Sequence, residues 1–170
     1  MMHKVVINTC YGGFGLSVKA TAELFRRKHD APLYFYKEIE HEWFRNPHST
    51  YKKVSIEEAD TILTKDFGEE FVLPQDHFGY ELSDEQREIR EQFNNAFIWD
   101  DMLIESRHDA DLIAVVEQLG EEANGLCSEL TIVEIEGSKY RVDEYDGNES
   151  IHTPETDAEL YTSIQEHCLS

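Results

Sequence analysis

The residues best suited to chemistry lie between Asn8 and Ser17, where a short apolar strand leads into three glycines and then into the predicted start of a helix. Glycine tolerates positive φ angles and lets another group approach the backbone closely. A glycine-rich turn from a strand to a helix also directs free N–H groups and the positive end of a helix dipole at one point. This pattern favours the binding of a small anionic or nucleotide-like ligand.

The predicted ligand-binding residues belong to this loop and to the segment before a later helix. They are Asn8, Thr9, Cys10, Tyr11, Gly12, Gly13, Phe14, Gly15, Ser17, Arg107 and Asp109. The aromatic rings in the loop can stack on a nucleobase, or they can pack on the neighbouring sheet instead. The glycines fit a ligand-binding loop and a tight turn equally well, because a turn also lets the helix pack closely on the strand. Arg107 would bring a cation to the site, although such residues more often only begin a helix.

Comparison with well-known loops excludes three kinds of site. A P-loop requires a lysine at a fixed place after its last glycine, and this chain has none there. A dinucleotide fingerprint requires the spacing GxGxxG, whereas the glycines here stand at positions 12, 13 and 15. A cysteine-phosphatase loop requires an arginine where this chain has Leu16. Cys10 stays a candidate nucleophile near a helix start, but a small buried residue at the end of a strand is the favoured interpretation.

A second group of chemistry-bearing residues is the acidic run from Asp143 to Glu149, with four carboxylates in seven residues. Carboxylate oxygens suit a hard cation such as Mg²⁺ or Ca²⁺, but the spacing of an EF-hand loop is absent. Alternation along a strand would send only half of these side chains to one face. A solvated strand end before an Asp–Gly turn is therefore favoured, and no metal site, cofactor or catalytic residue is predicted.

The elements that would position these residues predict an α/β fold with a mixed sheet. It contains a βαβ unit and a C-terminal antiparallel hairpin, with helices packed on the sheet. The strands are predicted near 4–9, 33–36, 129–135 and 139–145, and the helices over 17–28 and 109–123. One domain is expected over 1–150, with an irregular, partly helical insertion at about 38–100. A polar tail with a weak helix is expected over 151–170.

The charge of the chain limits its partners. The sequence carries 36 acidic and 15 basic residues, for a formal net charge of −21. Such a surface argues against direct binding of nucleic acid and of anionic membranes. It suits a protein that mimics DNA or binds a basic host protein, although solubility alone also explains it. Three cysteines without a CxxC pair and the lack of a long apolar run predict a cytoplasmic location.

Four segments of the chain stand out together: VVINTCYGGFGLS, ADLIAVVEQLGEEANG, LTIVEI and VDEYDGNE. With these segments the chain resembles a family of small uncharacterised bacteriophage and prophage proteins. The resemblance covers the first helix unit and roughly residues 107–150, and Ala110 stands where the family pattern Arg-x-Asp-Pro has proline. It implies a phage context, and hence the host cytoplasm, but it carries over no catalytic residue.

The expected function is therefore a phage-type accessory protein that binds a small nucleotide-like ligand through the glycine loop and sequesters a host defence signal. The first alternative is an acidic interaction protein or DNA mimic that occupies a nucleic-acid-binding host enzyme. The second alternative is a small hydrolase or transferase that uses Cys10 or the carboxylates of residues 143–149. Binding is favoured over catalysis, and a homo-oligomer is left open.

Overall fold

A computed structural model divides the chain into two compact units. Unit 1 comprises residues 1–28 and 100–170, and unit 2 comprises residues 29–99. The structure describes residues 1–77, 79–154 and 162–163. Most of the predicted terminal helix lies outside the described residues. No helix in the part of the chain that is described has the length and apolar character needed to cross a membrane.

The described residues form nine strands and three α-helices. The strands are β1 (Met2–Asn8), β2 (Tyr34–Glu42), β3 (His48–Lys53), β4 (Thr61–Leu63), β5 (Glu70–Pro74), β6 (Leu130–Glu136), β7 (Lys139–Tyr145), β8 (Asn148–His152) and β9 (Thr162–Ser163). The helices are α1 (Val18–Lys28), α2 (Asp84–Ala96) and α3 (Ala110–Leu119), with short 3₁₀ turns at Asp100–Met102 and Gly120–Ala123.

Unit 1 is built around the antiparallel pair of β1 and β6, in which Val5 lies opposite Val133. Val5 and Ile7 pack with Ile135 and Tyr140 in one buried cluster, and α3 packs against both strands. A second sheet has the order β8-β7-β9. The last four residues of β1 are all buried, so the core fixes the point from which the glycine loop leaves.

Local capping signals give the helix starts that the sequence predicts. The Ser17 hydroxyl accepts a hydrogen bond from the Ala20 N–H group at 3.1 Å, at the start of α1. The Asp109 carboxylate accepts from the N–H groups of Asp111 and Leu112 at the start of α3. Asp109 also forms an ion pair with Lys28, which ties the end of α1 to the start of α3.

The α/β class and a C-terminal hairpin are confirmed, but the strand partners need correction. The predicted βαβ unit is wrong, because β1 pairs with β6 whereas β2 pairs with β3 and β4, and all strand pairs in the described residues are antiparallel. The hairpin joins β7 to β8 rather than β6 to β7. Its turn is Asp146–Gly147, with φ angles of 50° and 84° that suit a two-residue type I′ turn.

Unit 2 corrects the prediction of an irregular insertion at 38–100. Its four-stranded antiparallel sheet has the order β4-β2-β3-β5. The buried residues Tyr36, Tyr51 and Phe93 form its core together with Leu63 and Leu73. Helix α2 begins with the predicted capping box at Ser83 and contacts β5. The unit therefore has its own core, which an irregular excursion would lack.

We expect Gly147→Ala to destabilise unit 1 more than Gly137→Ala does. Both glycines have a φ angle of 84°, so alanine costs about 1–2 kcal/mol of backbone strain at either position. Only at position 147 would the added Cβ also lie 2.6 Å from the Gly12 nitrogen, whereas nothing lies within 4 Å at position 137. The clash adds ~1–3 kcal/mol. Urea denaturation of both variants checks the difference, and equal losses of stability would contradict the packing described here.

Candidate functional site

Three segments of unit 1 meet around an open cleft of about 600 Å³, which we call the motif cleft. Residues 12–14 form one wall, and the segment from Asp101 to Arg107 forms another. The third wall comes from the β7–β8 turn with its flanking residues Glu144 and Glu149. The cleft is thus assembled from parts of the chain that are far apart in the sequence.

The glycines of the loop serve close contact between backbone segments. The Gly12 N–H group donates a hydrogen bond to the Asp146 carbonyl oxygen at 3.1 Å. A Cβ atom at position 12 would lie 2.7 Å from the Cβ of Cys127, and one at Gly147 would overlap the Gly12 and Gly13 backbone. A side chain at either place would push these segments apart. The absence of side chains at Gly12 and Gly147 thus lets the backbone of the loop pack directly on the backbone of the β7–β8 turn.

Asn8, at the end of β1, is fully buried and organises the loop instead of facing the cleft. Its side-chain amide donates to the carbonyl groups of Cys10 at 2.7 Å and Gly147 at 2.6 Å. Its side-chain oxygen accepts from the Glu129 N–H group at 2.8 Å. One side chain therefore holds the glycine loop, the β7–β8 turn and the start of β6 in place. The sequence predicts that Asn8 contacts a ligand, whereas in the structure its side chain holds the loop in position.

Glu149 and Arg107 form an ion pair in the wall of the cleft. The Glu149 side chain is only 6% exposed, and its Oε1 lies 2.6 Å from the Arg107 Nη2. Its other oxygen accepts from the Asn8 N–H group at 2.9 Å. Burial lowers the pKa of the Arg107 guanidinium, and the negative charge of Glu149 acts in the opposite direction. The pair thus links the cleft to the buried end of β1.

Phe14 stacks on the Arg107 guanidinium. The central guanidinium carbon lies 3.4 Å from the centroid of the ring, which is a cation–π contact. Arg107 Nη1 is buried and has no hydrogen-bond acceptor among the described residues. The face of the Phe14 ring partly compensates for the missing hydrogen bond. One of the two aromatic rings singled out in the sequence therefore packs on a side chain of the cleft itself.

The cleft is rich in negative charge. Five carboxylates line it, from Asp101, Glu105, Glu144, Asp146 and Glu149. The single cation in the lining is Arg107, and Glu149 already pairs with it. Ionised carboxylates accept hydrogen bonds but donate none. A ligand that carries N–H or O–H donors matches this lining, whereas a phosphate group would face four further carboxylates. One of them, Glu105, lies 3.9 Å from the Lys28 ammonium nitrogen.

The predicted site residues divide into two groups. Gly12, Gly13, Phe14 and Arg107 line the motif cleft. The others do not line it: Asn8, Thr9, Cys10, Tyr11, Gly15, Ser17 and Asp109. Ser17 and Asp109 begin helices, and the Tyr11 side chain is exposed. Sequence reasoning did not single out Asp101, Glu105 or Ser106, since nothing in their local pattern marks a site.

Cys10 and the carboxylates of residues 143–149 are the two groups that the sequence offers for catalysis. The Cys10 thiol contacts the Tyr11 carbonyl oxygen at 3.5 Å, and no histidine or carboxylate of the described residues hydrogen-bonds to it. A nucleophilic thiol needs such a base or a nearby cation. No set of three or more His, Cys, Asp or Glu side chains in the described part of the chain is arranged to hold a metal ion.

A serine–histidine–glutamate contact in unit 2 has the composition of a hydrolase triad without its geometry. Glu38 Oε1 lies 2.6 Å from His41 Nδ1, and Ser49 Oγ lies 2.9 Å from the same nitrogen. A triad needs the acid and the serine on opposite ring nitrogens. Ser49 is also only 1% exposed, so no substrate can reach it. This contact therefore stabilises the β2–β3 pair.

Comparison with protein-family models, curated proteins and solved structures finds no match to this chain.

We expect Glu149→Gln to destabilise unit 1 by about 3–5 kcal/mol, because it leaves the partly buried Arg107 charge without its partner. The double variant Arg107→Met/Glu149→Gln should recover part of this loss, since it removes both charges. Urea denaturation of the two variants and of Arg107→Met measures the coupling free energy of the pair. Additive losses in the double variant would show that the ion pair has no coupling of its own.

Proposed function

We propose that the chain is a binding protein whose ligand site is the motif cleft, and that it holds a small organic molecule without transforming it. The observation that carries this proposal is the meeting of three distant segments at one place. Gly12–Phe14, Arg107 and Glu144–Glu149 line the cleft, and each belongs to a motif on which the resemblance to phage proteins rests. A tight turn alone would need the glycines but not this arginine and these carboxylates.

The size and lining of the cleft support a small ligand. Its volume of about 600 Å³ lies within the usual range of small-molecule sites. Phe14 and Ile104 offer apolar surface, and the Ser106 hydroxyl can both donate and accept a hydrogen bond. The stacked pair of Phe14 and Arg107 gives one wall a fixed shape, because each side chain holds the other.

The nucleotide-like ligand expected from the sequence remains part of this proposal. The carboxylates of the lining suit the hydroxyl groups of a ribose and the amino groups of a base, both of which donate hydrogen bonds. They do not suit phosphates. The order of affinity expected from the cleft is therefore nucleosides above nucleoside monophosphates, and monophosphates above diphosphates.

We expect Phe14→Ala to weaken ligand binding about tenfold or more, because Phe14 forms the wall of the cleft and supports Arg107. Tyr11→Ala is the matched control, since it removes an exposed ring of the same loop that does not line the cleft. Isothermal titration with nucleosides, linear nucleotides and cyclic nucleotides measures both variants, and circular dichroism confirms that they fold. Equal affinities for the two variants, or no binding of any compound by the folded protein, would overturn the proposal.

A second function, binding to a basic partner protein, is favoured by an observation in unit 2. The turn between β2 and β3 presents Trp43 at 56% exposure and Phe44 at 89% exposure. The Glu42 carboxylate accepts from the Phe44 N–H group at 2.9 Å and from Arg45, and these hydrogen bonds lower the pKa of Glu42. The turn therefore holds two exposed aromatic rings in an ordered backbone, and such rings are often the anchors of protein interfaces.

For this second function we expect the retention of a basic partner on the immobilised protein to fall steeply with salt. The variant Trp43→Ala/Phe44→Ala should weaken retention about tenfold or more, because it removes both anchors. Val72→Ala shortens another exposed apolar side chain of unit 2 and should leave retention unchanged. Surface plasmon resonance compares the variants, and equal retention by all of them would exclude this turn as the interface.

A further inference from the structure

The side of strand β6 that faces away from β1 is an open sheet edge, which we call the β6 edge. In the part of the chain that the structure describes, β6 pairs with β1 alone. The register is continuous from Met2 opposite Glu136 to Asn8 opposite Leu130, without a bulge. A regular edge of this kind presents unpaired N–H and C=O groups to any extended chain that approaches it.

The hydrogen bonds at the start of β6 show which of its backbone groups point outward. The Thr9 N–H group donates to the Glu129 carbonyl oxygen at 2.9 Å, just before the two strands begin. Hydrogen-bonded and non-hydrogen-bonded residue pairs alternate in an antiparallel ladder, so the even-numbered residues of β6 direct their backbone groups away from β1. The Leu130 N–H group agrees with this phase, because it donates to the Asn124 side-chain oxygen at 2.8 Å.

Ile132 and Glu134 continue the outward series, and their N–H groups have no hydrogen-bond acceptor among the described residues. Other strand edges of the chain are protected. The outward Val6 N–H group of β1 donates to the Arg107 carbonyl oxygen at 2.8 Å. The edge strand β5 of unit 2 ends at Pro74, which has no N–H group to offer. The β6 edge has neither kind of protection between Ile132 and Glu134.

The side chains of β6 determine which added strand would suit this edge. Glu134 and Glu136 lie on one face of the strand and are exposed. Val133 and Ile135 lie on the other face and pack in the buried cluster of unit 1. An added strand would therefore continue that cluster with every second side chain and place the side chains between them next to the two glutamates.

We infer that the β6 edge binds an extended segment of a partner protein as an additional strand, and that basic and apolar residues alternate in this segment. The backbone groups of Ile132 and Glu134 form the hydrogen bonds to it. Its basic side chains lie next to Glu134 and Glu136, and its apolar side chains extend the cluster of unit 1. None of these residues lines the motif cleft, so the inference does not rest on the proposed function.

Charge favours a basic segment over a second copy of the chain. Lys4 lies opposite Glu134 on β1, but its ammonium group also lies 2.5 Å from a carboxylate oxygen of Glu117. One cation thus serves two carboxylates, and Glu136 lies opposite the uncharged Met2. A second copy would bring its own net charge of −21 to this edge, whereas a basic segment reduces the repulsion.

Amide hydrogen exchange of the full chain, followed by NMR spectroscopy, is the first test. In the free protein we expect the amide hydrogens of Ile132 and Glu134 to exchange rapidly, because no hydrogen bond protects them. Slow exchange at every protein concentration would overturn the inference, since another segment of the chain would then cover the edge. Protection that grows with protein concentration would also overturn it, since the occupant would be a second copy.

Titration of the full chain with an acetylated, amidated Lys-Val-Lys-Val-Lys-Val peptide is the second test, and the corresponding Glu-Val peptide is the comparison. We expect the lysine peptide to shift the amide signals of Ile132 and Glu134 and to slow their exchange. The glutamate peptide should do neither. Equal binding of the two peptides, or no binding of the lysine peptide by the folded protein, would overturn the inference.

Three variants separate strand addition from charge. Glu134→Pro removes an outward N–H group and keeps the hydrogen bonds to β1, and Glu134→Gln removes only the charge. The matched control is Val72→Pro, which removes an outward N–H group from an exposed position of the edge strand β5 in unit 2. Circular dichroism checks that each variant folds, and the exchange and titration measurements on the unsubstituted chain do not depend on any of them.

We expect Glu134→Pro to weaken binding of the lysine peptide about tenfold or more, and Glu134→Gln to weaken it about twofold to fivefold. Val72→Pro should change it less than about twofold. Equal weakening by the two proline variants would overturn the inference, because the β6 edge would then have no special part in binding. Equal weakening by Glu134→Pro and Glu134→Gln would also overturn it, because charge alone would then account for the binding.

Discussion

The buried polar junction at the end of β1 is the interaction on which the rest of unit 1 depends. Asn8 and Glu149 are both buried, and a buried amide or carboxylate is costly unless its hydrogen bonds are made. Asn8 meets this requirement with the backbone of three separate segments, and Glu149 meets it with Arg107 and the Asn8 N–H group. Because each partner is fixed in place by the core strand, the loop, the turn and the arginine cannot move independently. The shape of the motif cleft follows from this junction.

The same junction determines the electrostatics of the cleft. The positive charge of Arg107 is paired with Glu149 and also acts on Asp100 and Asp101, so one cation is shared among several carboxylates. With one cation among five carboxylates, the described lining of the cleft is negative on balance. A phosphate that entered the cleft would meet this negative charge, whatever hydrogen bonds the loop could offer it.

Local features of the fold could be predicted from the sequence, whereas its strand pairing could not. The side chains of Ser17, Ser83 and Asp109 each accept a hydrogen bond from an N–H group in the first turn of their helix. Such a signal lies within a few residues of sequence, so it can be predicted locally. The partner of β1 lies more than a hundred residues further along the chain, and no local pattern specifies it. The alternation of LTIVEI and RVDEY suggested a hairpin across Gly137, but β6 pairs with β1 instead and buries Ile135 there. In unit 2, the strand predicted at 33–36 contains the core residue Tyr36, but its charged continuation to Glu42 hid the full length of β2.

The glycine loop that the sequence singled out lines the motif cleft, but the negative charge of that cleft could not be predicted. A glycine-rich turn before a helix suggests phosphate, since free N–H groups and the helix dipole favour an anion. In this chain the Gly12 N–H group is bonded to the Asp146 carbonyl oxygen, and Gly147 lies where any side chain would overlap the loop. The glycines therefore bring a second backbone segment close, and that segment carries Glu144, Asp146 and Glu149 with it. The net charge of the cleft is a sum over three segments, so no single motif could reveal it. The glycines of this loop therefore place carboxylates, rather than free N–H groups, along the motif cleft.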